Sequence, residues 1–208
     1  MSSLHLVTHR VAVAGWVKDS ETKNAIGRAD VTIVAMPAAF EQRLKLAPMR
    51  YGTRWAALTE RPDKTQTKED GLFYFLDLPN GKYTVRVTAT KLGKRYSGAE
   101  ETASVTRDSQ GKLRLATVKV ALQPTAVKGK ITGSNQKAGV VMAEVRIKGS
   151  GERTFSDAQG QYALTAIEPG TRTVQVTAQG YKPSFHVVKL PQAGAMETVN
   201  IALARDES

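Results

Sequence analysis

Hydrophobic and polar residues alternate with a period of two along most of this chain. Between 83 and 89, for example, Val85, Val87 and Ala89 fall on one side of an extended chain, and polar residues lie between them. Such segments recur roughly every ten residues, and turns that contain glycine or proline separate them. The pattern predicts an all-β protein in which each sheet buries one face and exposes the other, as antiparallel sheets do.

The strand segments occur twice, in the same order. Gly15 and Gly129, in the first matching strands, are 114 residues apart. The separation falls to 89 residues for Gly71 and Gly160, and to 81 residues for the final matching strands. Chance alternation would not keep these glycines in step with the strands, so the chain contains an internal repeat.

The changes in separation define the domain organisation that we predict. We expect two tandem β-sandwiches at residues 1–124 and 125–208, joined by a short linker. The first drop in separation places 25 extra residues in the first copy, within about 34–69, and the second places eight more around 100–115.

The repeated blocks resemble the carboxypeptidase regulatory-like domain, a prealbumin-like, Greek-key β-sandwich of immunoglobulin-like appearance. The resemblance rests on the first-strand glycines, on the segment 156–162 with its Asp, Gly and Tyr, on the turn Pro169–Gly170 and on the pair Gly180–Tyr181. It covers nearly all of 125–204 and, with the insertion, about 10–123. It implies a non-catalytic spacer, adhesin or assembly module. It defines the fold better than the function, because domains of this family are attached to many different activities.

Relatives of this sandwich in Gram-positive adhesins form an internal Lys–Asn isopeptide bond with the help of a buried Glu. The second copy offers Lys128 or Lys130 and Asn200, but Val176 occupies the place where the helper Glu would align. Without a carboxyl group to shuttle the proton the amide does not form, so we predict no such bond.

The insertion of the first copy is its most distinctive stretch. A short helix is predicted after Pro37, over 38–46, ending before Pro48. Basic and aromatic residues then alternate. Three interpretations stay open: the insertion packs on its own sandwich, contacts a protein partner, or stacks on bases or sugars. The candidate contact residues are Phe40, Arg43, Leu44, Arg50, Tyr51, Arg54 and Trp55.

A second basic and aromatic cluster follows the strand that ends near Thr88. Its candidate residues are Lys91, Lys94, Arg95 and Tyr96. Loops of one charge sign are usually solvated turns, and the alternative is contact with an anion or an acidic partner.

The sequence offers no catalytic, cofactor or metal site. It has three His and no Cys, and it lacks a His-x-x-Glu pair, a phosphate loop, a nucleophile elbow and clustered carboxylates. We therefore predict that the chain is not an enzyme. His5 and His9 are expected in a solvated terminal segment and His186 on the outer side of a strand.

Charge and the N-terminus bear on partners and location. The net charge is +11, with 20 Lys and Arg against 12 Asp and Glu in 1–124, so acidic partners are more plausible for the first copy. The N-terminus does not have the pattern of a signal peptide, and no stretch has the ~20 apolar residues of a membrane helix. We expect synthesis in the cytoplasm, with release inside a particle as an alternative.

Three classes of function follow. The first is a structural or assembly protein that docks onto or decorates a large particle, such as a virion, a phage tail or a contractile injection machine. The second is a carbohydrate- or surface-binding module that uses Trp16, Trp55 and Tyr51 as platforms. The third is a binder of nucleic acid or another polyanion, which the pI of 9.9 alone supports.

Overall fold

The computed structural model describes residues 9–58, 60–134 and 138–206 of the chain. It divides into two compact units. The first unit holds the residues up to Lys91 together with Gly98–Leu122, and the second holds Leu92–Ser97 together with the residues from Gln123 onward. Each unit has two β-sheets, which confirms the prediction of two tandem β-sandwiches.

The described residues of the first unit form eight strands and two α-helices, and a short 3₁₀ helix at Thr90–Leu92 spans the division between the units. Its strands are β1 (Val11–Asp19), β2 (Asp30–Ala35), β3 (Lys64–Gln66), β4 (Leu72–Leu76), β5 (Gly81–Thr88), β6 (Ala99–Arg107), β7 (Leu113–Arg114) and β8 (Ala116–Leu122). The helices are α1 (Ala38–Tyr51) and α2 (Arg54–Ala57). The smaller sheet has the order β4-β1-β8, and the larger has the order β3-β2-β5-β6-β7.

The second unit repeats this arrangement, and its residues in 123–134 and 138–206 form no α-helix. Its strands are β9 (Ala126–Gly133), β10 (Glu144–Ile147), β11 (Arg153–Phe155), β12 (Gln161–Leu164), β13 (Gly170–Thr177), β14 (Ser184–Leu190), β15 (Met196–Thr198) and β16 (Ile201–Leu203). The smaller sheet has the order β12-β9-β15, with β16 also paired to β9, and the larger has the order β11-β10-β13-β14.

The two units pair their strands in the same register. Gly15 lies opposite Phe73, and Gly129 lies opposite Tyr162 at the corresponding positions. In the larger sheets, Val31 faces Val87 just as Val145 faces Val176. The repeat that the sequence shows is therefore a repeat of backbone pairing.

One pairing in each unit differs from the antiparallel expectation. The first strand of each unit pairs in parallel with the last, β1 with β8 and β9 with β15 and β16. Alternation of buried and exposed residues reports which face is buried and is silent on strand direction. The sequence pattern could not distinguish the two arrangements.

The eight extra residues of the first copy lie in two places. The pairing of Val87 with Ala99 and of Val176 with Ser184 puts four of them in the loop before β6. The other four fall after β6, where the first unit has the additional strand β7. The prediction that all eight lie around 100–115 was therefore wrong for the four before β6. No matching segment lies between those separated by 89 residues and those separated by 81, so the sequence did not divide the eight residues.

Buried side chains from the inward faces of the strands fill each sandwich. In the second unit the core is mainly Val, Ile and Leu with one aromatic residue, Tyr162, whose hydroxyl donates to the Val199 carbonyl at 2.8 Å. No helix among the described residues is long and apolar enough to cross a bilayer.

Candidate functional site

Helix α1 is attached to the sandwich of the first unit by one aromatic side chain. Phe40 is only 1% exposed, and its ring meets the Tyr83 ring edge-on, with centroids 5.9 Å apart. The Tyr83 hydroxyl donates to the Pro79 carbonyl at 2.9 Å, which fixes that ring. Phe40 is therefore an anchor in the core, and Leu44, one turn further along the helix, is half-buried on the same side.

The helix is longer than the sequence pattern predicts. It runs through Pro48 to Tyr51 and ends at Gly52, whose φ of 61° lies in the left-handed region. Proline removes one N–H from the helix, and Gly at the position after a helix is the stronger end signal. The expected end before Pro48 was therefore wrong by one turn.

Two aromatic candidates of the insertion lie against each other. The rings of Tyr51 and Trp55 stack with centroids 5.6 Å apart and planes 24° apart. The guanidinium of Arg61 lies over the Trp55 ring, 5.1 Å from its centroid, and is held at 2.9 Å by Asp63. Sequence analysis missed Arg61, although the turn sequence Arg-Pro-Asp at 61–63, within the predicted range of the insertion, was available as a signal.

The structure describes the side chains of two of the three basic candidates of the insertion. Arg43 and Arg54 are exposed. The side chain of Arg50 lies outside the described part of the structure. Bulky apolar residues are instead the main exposed feature, namely Leu46, Met49, Tyr51 and Leu58. Met49 is 86% exposed.

The second candidate cluster is divided between the units. Lys91 belongs to the first unit and donates to Gln66 at 3.0 Å. Lys94, Arg95 and Tyr96 belong to the second unit. There Arg95 forms ion pairs with Glu152 at 2.6 Å and with Glu168 at 3.3 Å.

This part of the second cluster is tied into its own unit. Arg95 also donates to the Ala166 carbonyl at 2.8 Å, and the Lys94 N–H donates to Glu168 at 3.2 Å. Tyr96 forms a β-bridge with Pro124. The guanidinium of Arg95 is thus engaged by two carboxylates of the same unit.

A groove of about 380 Å³ lies in the first unit between the edge strands β3 and β4. Residues of β4 line one side, those of β3 and the preceding turn line the other, and Phe40 and Arg43 of α1 contribute as well. Four cationic side chains and two carboxylates line it: Arg43, Arg61, Lys64, Lys68, Glu60 and Asp77. Sequence analysis did not find this groove, because it depends on which strands become sheet edges.

Asp77 at this groove is held in its charged form. The backbone N–H of Arg10 donates to it at 2.9 Å, and the His9 ring also contacts it. These two contacts lower the pKa of the Asp77 carboxyl below its ordinary value. His9 is therefore engaged with a carboxylate at the groove, whereas His5 lies outside the described residues.

His186 is half-buried, which differs from the expected outward position. It shares its side of β14 with the buried Val188 and hydrogen-bonds the Ser184 hydroxyl at 2.8 Å. Its neighbours Phe185 and Val187 are the outward residues of this strand. Strand parity relative to Val188 was the available signal.

Asp70 and Asp157 each accept a backbone N–H within a turn. Asp70 accepts the N–H of Leu72 at 3.0 Å, and Asp157 accepts the N–H of Gln159 at 2.9 Å. The two are not equivalent, however, because the turn bond from Asp157 to Gln161 corresponds to the one from Lys68 to Leu72.

The structure places the residues that were considered for an isopeptide bond. Asn200 accepts the backbone N–H of Lys130 at 2.9 Å, and Val176 is buried in the core. Across the described ranges, no three His, Asp or Glu side chains form a group that could hold a metal ion.

Comparison with known proteins identifies the second unit. Residues 126–204 match the model of the carboxypeptidase regulatory-like domain, which confirms the resemblance for the second copy. The first unit lies outside this match and shares strand order and register with the second. No curated protein matches the chain.

Several solved structures are similar in fold at low identity. The TIE protein of Bacillus anthracis is 18% identical over 93% of this chain and 34% of that one, with a TM-score of 0.42. A variant of the shaft pilin SpaA from Lactobacillus rhamnosus GG is 13% identical over 96% of this chain and 98% of that one, with a TM-score of 0.42. The Streptococcal ancillary pilin is 12% identical over 96% and 63% of the two chains, with a TM-score of 0.35. This chain thus spans about a third of the TIE protein.

Proposed function

We propose that this chain, whose second unit is a carboxypeptidase regulatory-like domain, is a non-catalytic protein that docks onto a protein partner in a larger assembly. The docking surface is the insertion of the first unit, α1 and α2. The observation that carries the proposal is the set of exposed apolar side chains on an anchored helix. Exposed apolar groups that cluster on an ordered element are typical of protein–protein contacts.

Anchoring matters for this role because a preorganised surface loses less conformational entropy on binding. Phe40 secures α1 to the core, and Glu41 and Lys45 form an ion pair at 2.8 Å on its surface. Leu46 and Met49 are then presented on a fixed helix. In the second unit the described residues 148–152, which join the corresponding strands, form no helix, so this surface is not a requirement of the fold.

The finer form of the proposal is that the partner belongs to a large particle of the virion, phage-tail or contractile-injection type. It predicts that the 22.5 kDa chain migrates with a megadalton particle when native lysate is fractionated by size in high salt. Migration at its own mass would contradict this form of the proposal.

A double variant, Leu46→Ser with Met49→Ser, tests the surface itself. We expect it to leave the particle fraction, because truncation of central apolar contacts typically costs ~1–3 kcal/mol of binding each. The matched control is Val187→Ser in the second unit, which removes an equally exposed apolar side chain elsewhere. Retention of the double variant on the particle would show that the insertion is not the docking surface.

The carbohydrate-binding alternative has weaker support. The Lys119 ammonium lies 5.4 Å from the centroid of the Trp16 ring, and Arg61 lies over Trp55. A sugar platform needs an aromatic face that the ligand can cover, and a cation lies over each indole.

A further inference from the structure

The outward face of the smaller sheet differs between the two units. In the first unit it carries Trp16, Leu72, Tyr74 and Leu76, and the last three are 38–44% exposed. The corresponding positions of the second unit, in the same pairing register, are Lys130, Gln161, Ala163 and Thr165. Since the shared backbone accepts polar or small residues there, the apolar face of the first unit is not required for folding.

Strand β4 is also an edge of its sheet. In the part of the chain that the structure describes, its sheet has the order β4-β1-β8, so β4 is paired on one side only. The Val17 N–H bonds to the Gly71 carbonyl, which marks position 71 as one that faces β1. In an antiparallel pair these positions alternate, so the backbone N–H and C=O of Tyr74 point away from β1.

The groove beside this edge has room for a chain and carries positive charge. Its volume of about 380 Å³ lies in the range of ligand sites, and Lys64, Lys68 and Arg43 line it. Of its two carboxylates, Asp77 already accepts from Arg10 and His9. Four cationic side chains against two carboxylates leave the lining of the groove with an excess of positive charge.

We propose that β4 accepts an extended acidic segment of a partner protein as an added strand. Main-chain hydrogen bonds form at the open edge around Tyr74. Alternate apolar side chains of the segment lie beside Leu72, Tyr74 and Leu76, and its carboxylates face Lys64, Lys68 and Arg43. This is the strand-addition mode of peptide recognition, in which the backbone supplies affinity and the flanking side chains supply specificity. The site shares Arg43 with α1 but uses neither Leu46 nor Met49, and it goes beyond the proposed function.

A second copy of this chain is the less suitable occupant. Antiparallel pairing of two β4 edges would bring Lys64 and Lys68 of one copy toward the same residues of the other. Like charges that face each other across an interface disfavour association. An acidic segment instead complements the groove.

The test uses the full-length protein and a displayed library of random peptides of about ten residues, long enough for one strand. We expect the enriched peptides to alternate apolar residues with Asp or Glu and to bind more weakly as salt increases. Enrichment of basic or proline-rich peptides, or no enrichment at all, would overturn the proposal.

The matched variant is Leu72→Gln with Tyr74→Ala, which gives the first unit the residues that the second unit has at these positions. We expect it to fold and to bind a selected peptide about tenfold or more weakly. The control is Phe185→Thr with Val187→Thr on the outer side of β14, which should bind unchanged. Equal binding by both variants would place the peptide elsewhere and overturn the proposal.

The self-association alternative is distinguished by sedimentation of the free protein. A dimer that the Leu72→Gln, Tyr74→Ala variant abolishes would assign the edge to a second copy and overturn the proposal. The insertion variant Leu46→Ser, Met49→Ser should bind the selected peptide normally. Failure of the docking function and failure of strand addition therefore give different results.

Discussion

At the scale of single residues, one glycine in the first strand of each unit sets how closely the chain packs. A Cβ placed on Gly15 would lie 2.5 Å from the Val118 carbonyl oxygen and 2.6 Å from the Phe73 ring. A Cβ on Gly129 would lie 2.0 Å from the Val199 carbonyl oxygen. Both approaches are far inside van der Waals contact, so glycine is required because a neighbouring backbone fills the space of a side chain.

Substitution of Gly129 by Ala should therefore destabilise the second unit. We expect the free energy of unfolding to fall by about 2–3 kcal/mol, because the obstructing atoms are backbone and cannot move aside easily. Gly151→Ala is the control, since a Cβ there meets nothing within 4 Å, and it should leave stability unchanged or slightly raised. Urea unfolding measures both, and equal midpoints for the two variants would refute this account of the glycine.

A buried hydroxyl is a second repeated device at this scale. Thr67 donates to the Ile26 carbonyl at 2.8 Å and accepts the Ala29 N–H at 2.9 Å. Ser156 makes the same two bonds, to the Val140 carbonyl and from the Ala143 N–H. Each hydroxyl thus satisfies two backbone groups that would otherwise be buried without partners.

Both units also share a hydrogen bond from a side chain to a backbone carbonyl four residues earlier, although the donor residues differ in type. The Tyr83 hydroxyl donates to the Pro79 carbonyl, and at the corresponding position Arg172 donates to the Glu168 carbonyl at 3.0 Å. Comparison of residue types at matching positions could reveal Thr67 and Ser156, because both carry a hydroxyl group. It could not reveal this pair, because the shared property is a donor at a given place and not a residue type.

At the scale of elements, the structure depends on how the insertion is fastened. Helix α1 buries Phe40 and half-buries Leu44, and no side chain caps its N-terminus. A helix of 14 residues is marginal in water on its own, so tertiary contact must hold it. Phe40 supplies the most buried part of that contact.

Removal of the Phe40 ring should release this element. We expect Phe40→Ala to lower the free energy of unfolding of the first unit by about 3–5 kcal/mol and to speed amide exchange along α1. Met49→Ala, on the exposed side of the same helix, should change it by less than about 0.5 kcal/mol. Hydrogen exchange with mass spectrometry measures both effects, and similar exchange in the two variants would contradict the anchoring role.

The elements also show why the sequence predicts strands better than sites. Period-two burial and the glycine turns locate β1, β4 and β5 and their copies, since each signal is local. The sequence predicts where the helix begins. It does not predict where the helix ends, because Pro48 was taken as the end signal and the helix continues to Gly52. The groove and the exposed face of β4 required knowing which strand is an edge, and this is a property of strand order.

At the scale of the whole molecule, the acidic and alkaline limits of stability have different causes. In the first unit, burial raises the pKa of Asp30, but hydrogen bonds from Thr90 and Gln66 and nearby lysines outweigh it, so the net pKa is lowered. Asp77 is lowered as well. A carboxyl whose folded pKa is depressed stabilises the fold above its unfolded pKa and loses that contribution as pH falls through the folded value.

On the alkaline side, burial raises the pKa of one tyrosine in each unit, Tyr83 in the first and Tyr162 in the second. Burial raises the pKa of Tyr162 to about 12. The unfolded chain loses this proton near pH ~10, so its stabilising effect is complete below that pH and is lost as pH rises toward ~12. Over this interval the free energy of unfolding should fall by about 2 kcal/mol more in the native protein than in Tyr162→Phe.

The Tyr162→Phe variant separates this titration from the deprotonation of lysines, which both proteins share. It also removes the bond to the Val199 carbonyl, so it should be the less stable protein at neutral pH, by about 1 kcal/mol. The two stability curves, measured by urea unfolding from pH 8 to 12, should therefore converge above pH ~10 and cross, with the variant about 1 kcal/mol more stable near pH 12. Parallel curves would mean that Tyr162 ionises as readily in the folded protein as in the unfolded chain, and that the core around Gly129 is open to water.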